Sequence, residues 1–101
     1  MSKYHNKKVT IDNITFDSIK EGNRYQELKL LLKAKEIENL ELQPKFELYA
    51  GIKYIADFEY YDQRLQRHVV EDVKGMRTEV YKIKKKLFLD IYGKSHLFKE
   101  L

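Results

Sequence analysis

The apolar positions of this chain change period several times, and each change marks an element. The run VTIDNITFDS, residues 9–18, alternates β-branched and polar residues about Asp12 and Asn13. Period-two alternation around two turn-forming residues predicts a small hairpin. From Ser18 to Ala34 the spacing lengthens, and Tyr25, Leu28, Leu31 and Leu32 recur as one face of a helix. The run IENLELQPKFEL, residues 37–48, reads as extended, and Pro44 marks it as an edge or bent strand because proline cannot donate to a ladder. IKYIADFEYY and RHVVEDVKG then predict two antiparallel strands around the polar loop Asp62 to Gln66.

Thr78 is placed to cap a second helix running to Tyr92, with Val80, Ile83, Leu87 and Ile91 on one face and Lys82, Lys85 and Lys86 largely off it. Gly93 supplies a stop, and the tail SHLFKEL adds a short last strand. The order β-β-α-β-β-β-α-β predicts an α/β (α+β) fold, a mixed central sheet with two helices packed against it. At 101 residues the chain suits one domain and one core, and it contains no internal repeat and no Pro-, Gly- or Ser-rich linker.

Charge changes this picture more than composition does. The net charge is +4, but it is segregated: residues 1–8 carry three lysines, residues 9–73 hold nine basic and thirteen acidic side chains, and residues 74–94 hold seven basic and two acidic. An acidic middle beside a basic C-terminal segment suits a protein that holds a cation on one surface and neutralises phosphates on another. A lysine-rich helix that only solvates its own surface fits the charge count equally well. The absence of cysteine excludes a disulfide framework and thiolate zinc sites and suits the cytoplasm. No apolar run approaches the ~20 residues needed to span a bilayer, and the polar start MSKYHNKK is no secretion signal.

Candidate chemistry centres on HVVEDVKGM, residues 68–76, where Glu71, Asp72 and Lys74 interrupt an apolar strand. Strand alternation turns Asp72 and Lys74 to one face and Glu71 and Val73 to the other. If the hairpin opposes Asp57 to Asp72, the same register opposes Tyr60 to Val69, and the two carboxylates fall within reach of one ion. Adjacent carboxylates resist joint ionisation, so the pair calls for a proton, a lysine or a divalent cation such as Mg²⁺, which takes one or two carboxylates and fills its shell with water and phosphate oxygens. A plain Lys74 bridge on a solvated sheet face is the competing explanation, and the valines around it disfavour idle charge there. Glu21 is a further carboxylate, although Ser18-x-x-Glu21 is also a capping box in which Glu21 reaches back to the Ser18 N–H.

An acid on a first helix (Glu21), an Asp on one strand (Asp57) and Asp72-Val73-Lys74 on the next, followed by a helix, resembles the PD-(D/E)xK nuclease superfamily. The wider pattern FDSIKEGNRYQEL, LELQPKFEL, IADFEYY, VVEDVKG and TEVYKIKKKLF is similar to a family of small phage and prophage proteins placed in it, over roughly residues 5–100. Ala56 stands where the superfamily name advertises proline. The resemblance implies a restriction-endonuclease-like fold related to Holliday-junction resolvases. It further implies Mg²⁺ or Mn²⁺ held by Asp57, Asp72 and Glu21, with Lys74 assisting an attacking water, and a homodimer acting on branched or structured DNA in the cytoplasm of a bacterial host.

Other residues carry weaker expectations. Gln43 is a candidate near the site, against a backbone-satisfying role. Tyr81, Lys84 and Lys85 on the second helix, and Lys7 and Lys8 in the arm KYHNKK, are candidates for phosphate contact, against a solvated helix face with Tyr81 partly in the core and a disordered arm. His5, His68 and His96 show no metal-ligand spacing. The alternative to a nuclease is a DNA-binding or protein-interaction module that keeps the fold without the activity, and no residue distinguishes DNA from RNA.

Overall fold

The structure, a computed structural model, describes residues 7–101. It is an α+β fold whose element order is β1 (Val9–Ile11), β2 (Ile14–Phe16), α1 (Ile19–Lys33), β3 (Ile37–Leu42), β4 (Lys45–Glu47), β5 (Lys53–Ile55), β6 (Phe58–Asp62), β7 (Arg67–Asp72), α2 (Glu79–Tyr92) and β8 (His96–Glu100). The central sheet is ordered β3-β6-β7-β8, antiparallel except for the parallel β7–β8 pair on either side of α2. The expected β1–β2 hairpin forms, and both turn residues, Asp12 and Asn13, take positive φ as a two-residue turn requires.

The two runs read as single long strands each divide, and they divide at the same place. Gln43 takes a φ of 51° and Pro44 lacks an N–H, so β3 stops at Leu42 and β4 begins at Lys45. Opposite them, Ala56 and Asp57 separate β5 from β6. The breach is laced by two bonds: Gln43 N–H donates to the Asp57 carbonyl (2.9 Å) and Ala56 N–H to the Pro44 carbonyl (3.1 Å). The pairs Leu42–Phe58 and Lys45–Ile55 keep one register across it, so the ribbon is continuous but sharply bent.

That bend exchanges cores. Tyr54, Ala56, Phe58 and Tyr60 are all buried at period two, yet Phe58 and Tyr60 pack with Tyr25 and Leu28 of α1, whereas Tyr54 and Ala56 pack with Tyr81 and Phe88 of α2. Strand β7 serves both sides: Val69 joins the α1 core and Val70 the α2 core. Asp57 sits at the bend between the two cores.

Both helix caps form as expected, with Ser18 Oγ accepting from Glu21 N–H and Thr78 Oγ1 from Tyr81 N–H. The face of α2 does not. Val80, Ile83 and Ile91 are exposed and Leu87 only partly covered, while Tyr81, Phe88 and Tyr92 turn inward. The large rings win because they meet an aromatic set, with Phe88 against Phe46, Tyr54 and Phe98 at centroid distances of 4.9, 5.4 and 5.7 Å.

Helix α1 is tied to β7 by a buried ion pair. Arg24 donates from Nε and Nη2 to Glu71 Oε1 and Oε2 at 2.7 and 2.6 Å, and the Tyr60 hydroxyl donates to the same carboxylate. Glu71 is wholly buried. Removing one member of such a pair leaves an uncompensated charge, so Arg24→Ala is expected to lower the unfolding free energy by ~3–5 kcal/mol in urea titrations. Replacing both, as Arg24→Met with Glu71→Leu, is expected to recover most of that loss; equal stability of Arg24→Ala and wild type would contradict the assignment.

Candidate active site

The β6–β7 register brings Asp57 and Asp72 together. Tyr60 pairs with Val69, and the ladder ends at Phe58 with Glu71, so Asp57 lies just beyond the last paired residue of β6, where the charge of Asp72 acts on it. Two backbone bonds fix Asp57: its N–H donates to the Glu71 carbonyl (3.1 Å), and its Oδ2 accepts from Val73 N–H (2.6 Å). Alternation along β7 then separates the neighbouring acids. Glu71 points to the α1 core and Arg24, while Asp72 points to the α2 side, where Tyr54 donates its hydroxyl to Oδ2 and Lys74 Nζ lies 3.0 Å from Oδ1.

Asp72 is almost completely buried, and its Oδ1 has no hydrogen-bond partner. The Lys74 ammonium is close enough to compensate its charge but lies off the hydrogen-bonding direction, packed over the Tyr81 ring at 4.2 Å from its centroid. Asp57 opens into a cleft of about 300 Å³ whose lining includes Asp17, Glu21, Lys74 and Lys20. On the other side of Asp57 and Glu21 a smaller hollow of about 160 Å³ is bordered by Gln43. Glu21 is buried, and only the forward half of its capping box forms: its N–H is held by Ser18, and its carboxylate turns to the cleft.

The electrostatics follow from this crowding. Burial, opposed by the Val73 N–H and reinforced by the charges of Asp72 and Glu21, raises the Asp57 pKa to about 7. Burial also raises that of Glu21, with Asp17 and Asp72 adding to it and Lys74 opposing. The Tyr54 hydroxyl is pushed far up by burial and by Asp72, so it stays a donor. Among the described residues no group of three acidic or histidine side chains is gathered as a ready metal cage. The carboxylates that line the cleft, Asp57 and Glu21, suit a hard cation that takes one or two carboxylates and keeps its waters, while Asp72 is buried outside the lining with one oxygen lacking a hydrogen-bond partner.

A family model described as a protein of unknown function, DUF1064, matches residues 1–99. The chain belongs to that family. No curated protein and no solved structure matches it.

In this DUF1064 protein Glu21, Asp57 and Lys74 line one cleft, Asp72 is buried against Lys74 and Gln43 borders the hollow on the other side of Asp57, whereas the expected phosphate contacts scatter. Tyr81 and Lys85 are engaged by Glu100, through the Tyr81 hydroxyl at 2.7 Å and Lys85 Nζ at 3.1 Å. With Arg77 as the first cause, these partners hold the Glu100 pKa down at about 2. Lys84 borders a separate cleft. Lys8 lies 3.9 Å from Asp17 at the cleft mouth, and Lys7 is exposed. Residues 3–6 of the basic arm, His5 among them, lie outside the described residues. His68 is exposed on its strand, and His96 Nε2 lies 3.2 Å from Glu59. Sequence reasoning missed Tyr54, Arg24 and Lys20; the only local signal was Arg24 following Glu21 at helical spacing.

Because Asp57 keeps its proton in the folded protein up to about pH 7 but releases it near its ordinary value of 3.8 when unfolded, its contribution to stability is lost as pH rises across that window. Glu21 acts in the same direction. The melting temperature of metal-free protein is therefore expected to fall as pH rises from about 5 to about 8. Added Mg²⁺ should raise it more at the alkaline end, where it no longer competes with the proton. In Asp57→Asn both slopes should flatten; an unchanged pH profile would contradict the site.

Proposed function

We propose that the protein is a Mg²⁺- or Mn²⁺-dependent endodeoxyribonuclease of PD-(D/E)xK type, acting on branched or structured DNA in the cytoplasm of a bacterial host. The observation that carries this reading is that Asp57 and Glu21 line an open cleft with Lys74, while Asp72, buried outside that lining, has an oxygen with no hydrogen-bond partner and Lys74 Nζ 3.0 Å from it.

Asp57 and Asp72 would hold the cation, with Glu21 facing it across the cleft. When bound, the cation supplies Lewis-acid stabilisation of phosphate charge and makes a bound water more acidic. The chain's own residues do the rest. Tyr54 occupies one oxygen of Asp72 and leaves the other to Lys74. Val73 N–H orients the Asp57 carboxylate. Lys74 carries a positive charge to where the phosphodiester becomes more negative during in-line attack by water, and positions that water with a donor. Arg24 and Glu71 hold α1 so that Glu21 stays over the pair.

Selectivity would come from DNA shape and from a homodimer that presents two centres to two strands. Ile83 and Ile91, left exposed on α2, offer such a dimer an apolar surface.

Purified protein incubated with junction, nicked, duplex and single-stranded DNA, with Mg²⁺, Mn²⁺ or EDTA, tests the reading. Metal-dependent cleavage is expected, lowered by ~10²–10³ in Lys74→Ala and by about as much or more in Asp57→Asn and Asp72→Asn. Binding of DNA without cleavage under either metal would support a non-catalytic module instead.

A further inference from the structure

The acidic cleft can hold a cation and the phosphate being cut, but a polynucleotide brings further phosphates that such a surface would repel. A second cleft, of about 260 Å³, lies on the other side of Lys74. Lys53 of β5, Lys74 and Lys84 of α2 border it, together with Tyr54, Thr78 and Tyr81. Lys74 is common to both clefts, so they meet at the residue that faces Asp72. No acidic side chain lines the second one.

Of its three lysines Lys74 is paired with Asp72, and the other two are uncommitted where several basic neighbours are not. Lys82 and Lys85 on the same helix pair with Glu79 and Glu100, and Arg77 also pairs with Glu100. Among the described residues neither Lys53 nor Lys84 has an acidic partner within salt-bridge distance; Glu47, opposite Lys53 in the β4–β5 register, does not reach it. Ile55 and Val80, 52% and 61% exposed, complete the rim, giving apolar surface beside cationic groups. Apolar rim, three ammonium groups and no acid suit a sugar-phosphate backbone better than a free small anion, which needs no apolar flank.

We infer that this cleft is a phosphate subsite, in which Lys53 and Lys84 hold the backbone phosphate next to the one at Asp57 and Asp72, so that the strand passes over Lys74 from the acidic cleft to the basic one. This rests on the polynucleotide reading above but not on cleavage. Lys53, which nothing in the local sequence marks, becomes a binding residue, while Tyr81 and Lys85 act on Glu100 rather than on the substrate.

The test is binding of a short fluorescein-labelled DNA duplex, followed by anisotropy in EDTA over a salt series, for wild type, Lys53→Gln/Lys84→Gln and the charge-matched control Lys33→Gln/Lys94→Gln. The cleft variant is expected to bind roughly tenfold or more weakly at ~0.1 M salt, and its log–log salt slope to fall by about one for each lysine lost. The control should stay near wild type, and melting curves should show all three equally folded. Equal weakening in both variants, no weakening in the cleft variant, or no DNA binding by wild type would each overturn the subsite. Loss of cleavage under every metal with this binding pattern intact would overturn the nuclease reading and leave the subsite standing.

Discussion

The bidentate pair between Arg24 and Glu71 is the constraint on which the rest of the candidate site depends. It joins the helix that carries Glu21 to the strand that ends at Asp72, two residues before Lys74, through a carboxylate that is fully buried on the α1 side of the sheet. Arg24 lies one turn beyond Glu21, and Glu71 immediately precedes Asp72. Fixing one pair therefore fixes the distance between the other two. A charge in that position is expensive to bury and worth retaining only if its geometry matters, which is how a planar guanidinium, a carboxylate and the Tyr60 hydroxyl act together. The desolvated Glu71 also leaves Asp72 no choice of face, because strand alternation sends consecutive side chains to opposite sides.

The bend in the long ribbon supplies the other half of the arrangement. A ladder that ran straight through Gln43 and Ala56 would put Asp57 in a regular cross-strand position within one core. Broken by a positive φ and a proline, it puts Asp57 between two cores, largely buried but lining a cleft and within the field of Asp72 and Glu21. Crowded acids at the junction and free lysines beyond Lys74 reproduce, at the scale of a cleft, the charge segregation visible along the chain. Burial and mutual repulsion make these acids costly to ionise in the metal-free protein, and under the proposed reading a bound cation would offset that cost.

Much of this was legible before any coordinates. Asp12-Asn13, Ser18, Thr78 and Gly93 act locally, through turn and capping chemistry, and the elements they bound form where expected. Tyr60 opposes Val69 as the alternation required, but the ladder ends at Phe58 and Glu71, so Asp57 comes near Asp72 at the bend rather than as its cross-strand partner. What escaped was decided at long range. The inner face of α2 depended on aromatic partners from β4, β5 and β8, so Tyr81 and Phe88 displaced the better-spaced aliphatic set of Val80, Ile83, Leu87 and Ile91. Pro44 announced a bend but not that the opposite strand would break with it. Glu71 had no role until Arg24 was found against it, and the Tyr54 bond to Asp72 spans the two cores.

The central claim is that Asp57 and Asp72 form one cation site with Glu21 above it. Anomalous diffraction from crystals grown with Mn²⁺ tests it most directly. The account predicts a manganese peak between the Asp57 and Asp72 carboxylates, bonded to the Asp72 oxygen that has no hydrogen-bond partner, and absent from Asp57→Asn crystals. Manganese bound elsewhere, or a wild-type site that stays empty while Lys74 keeps its contact with Asp72, would contradict it.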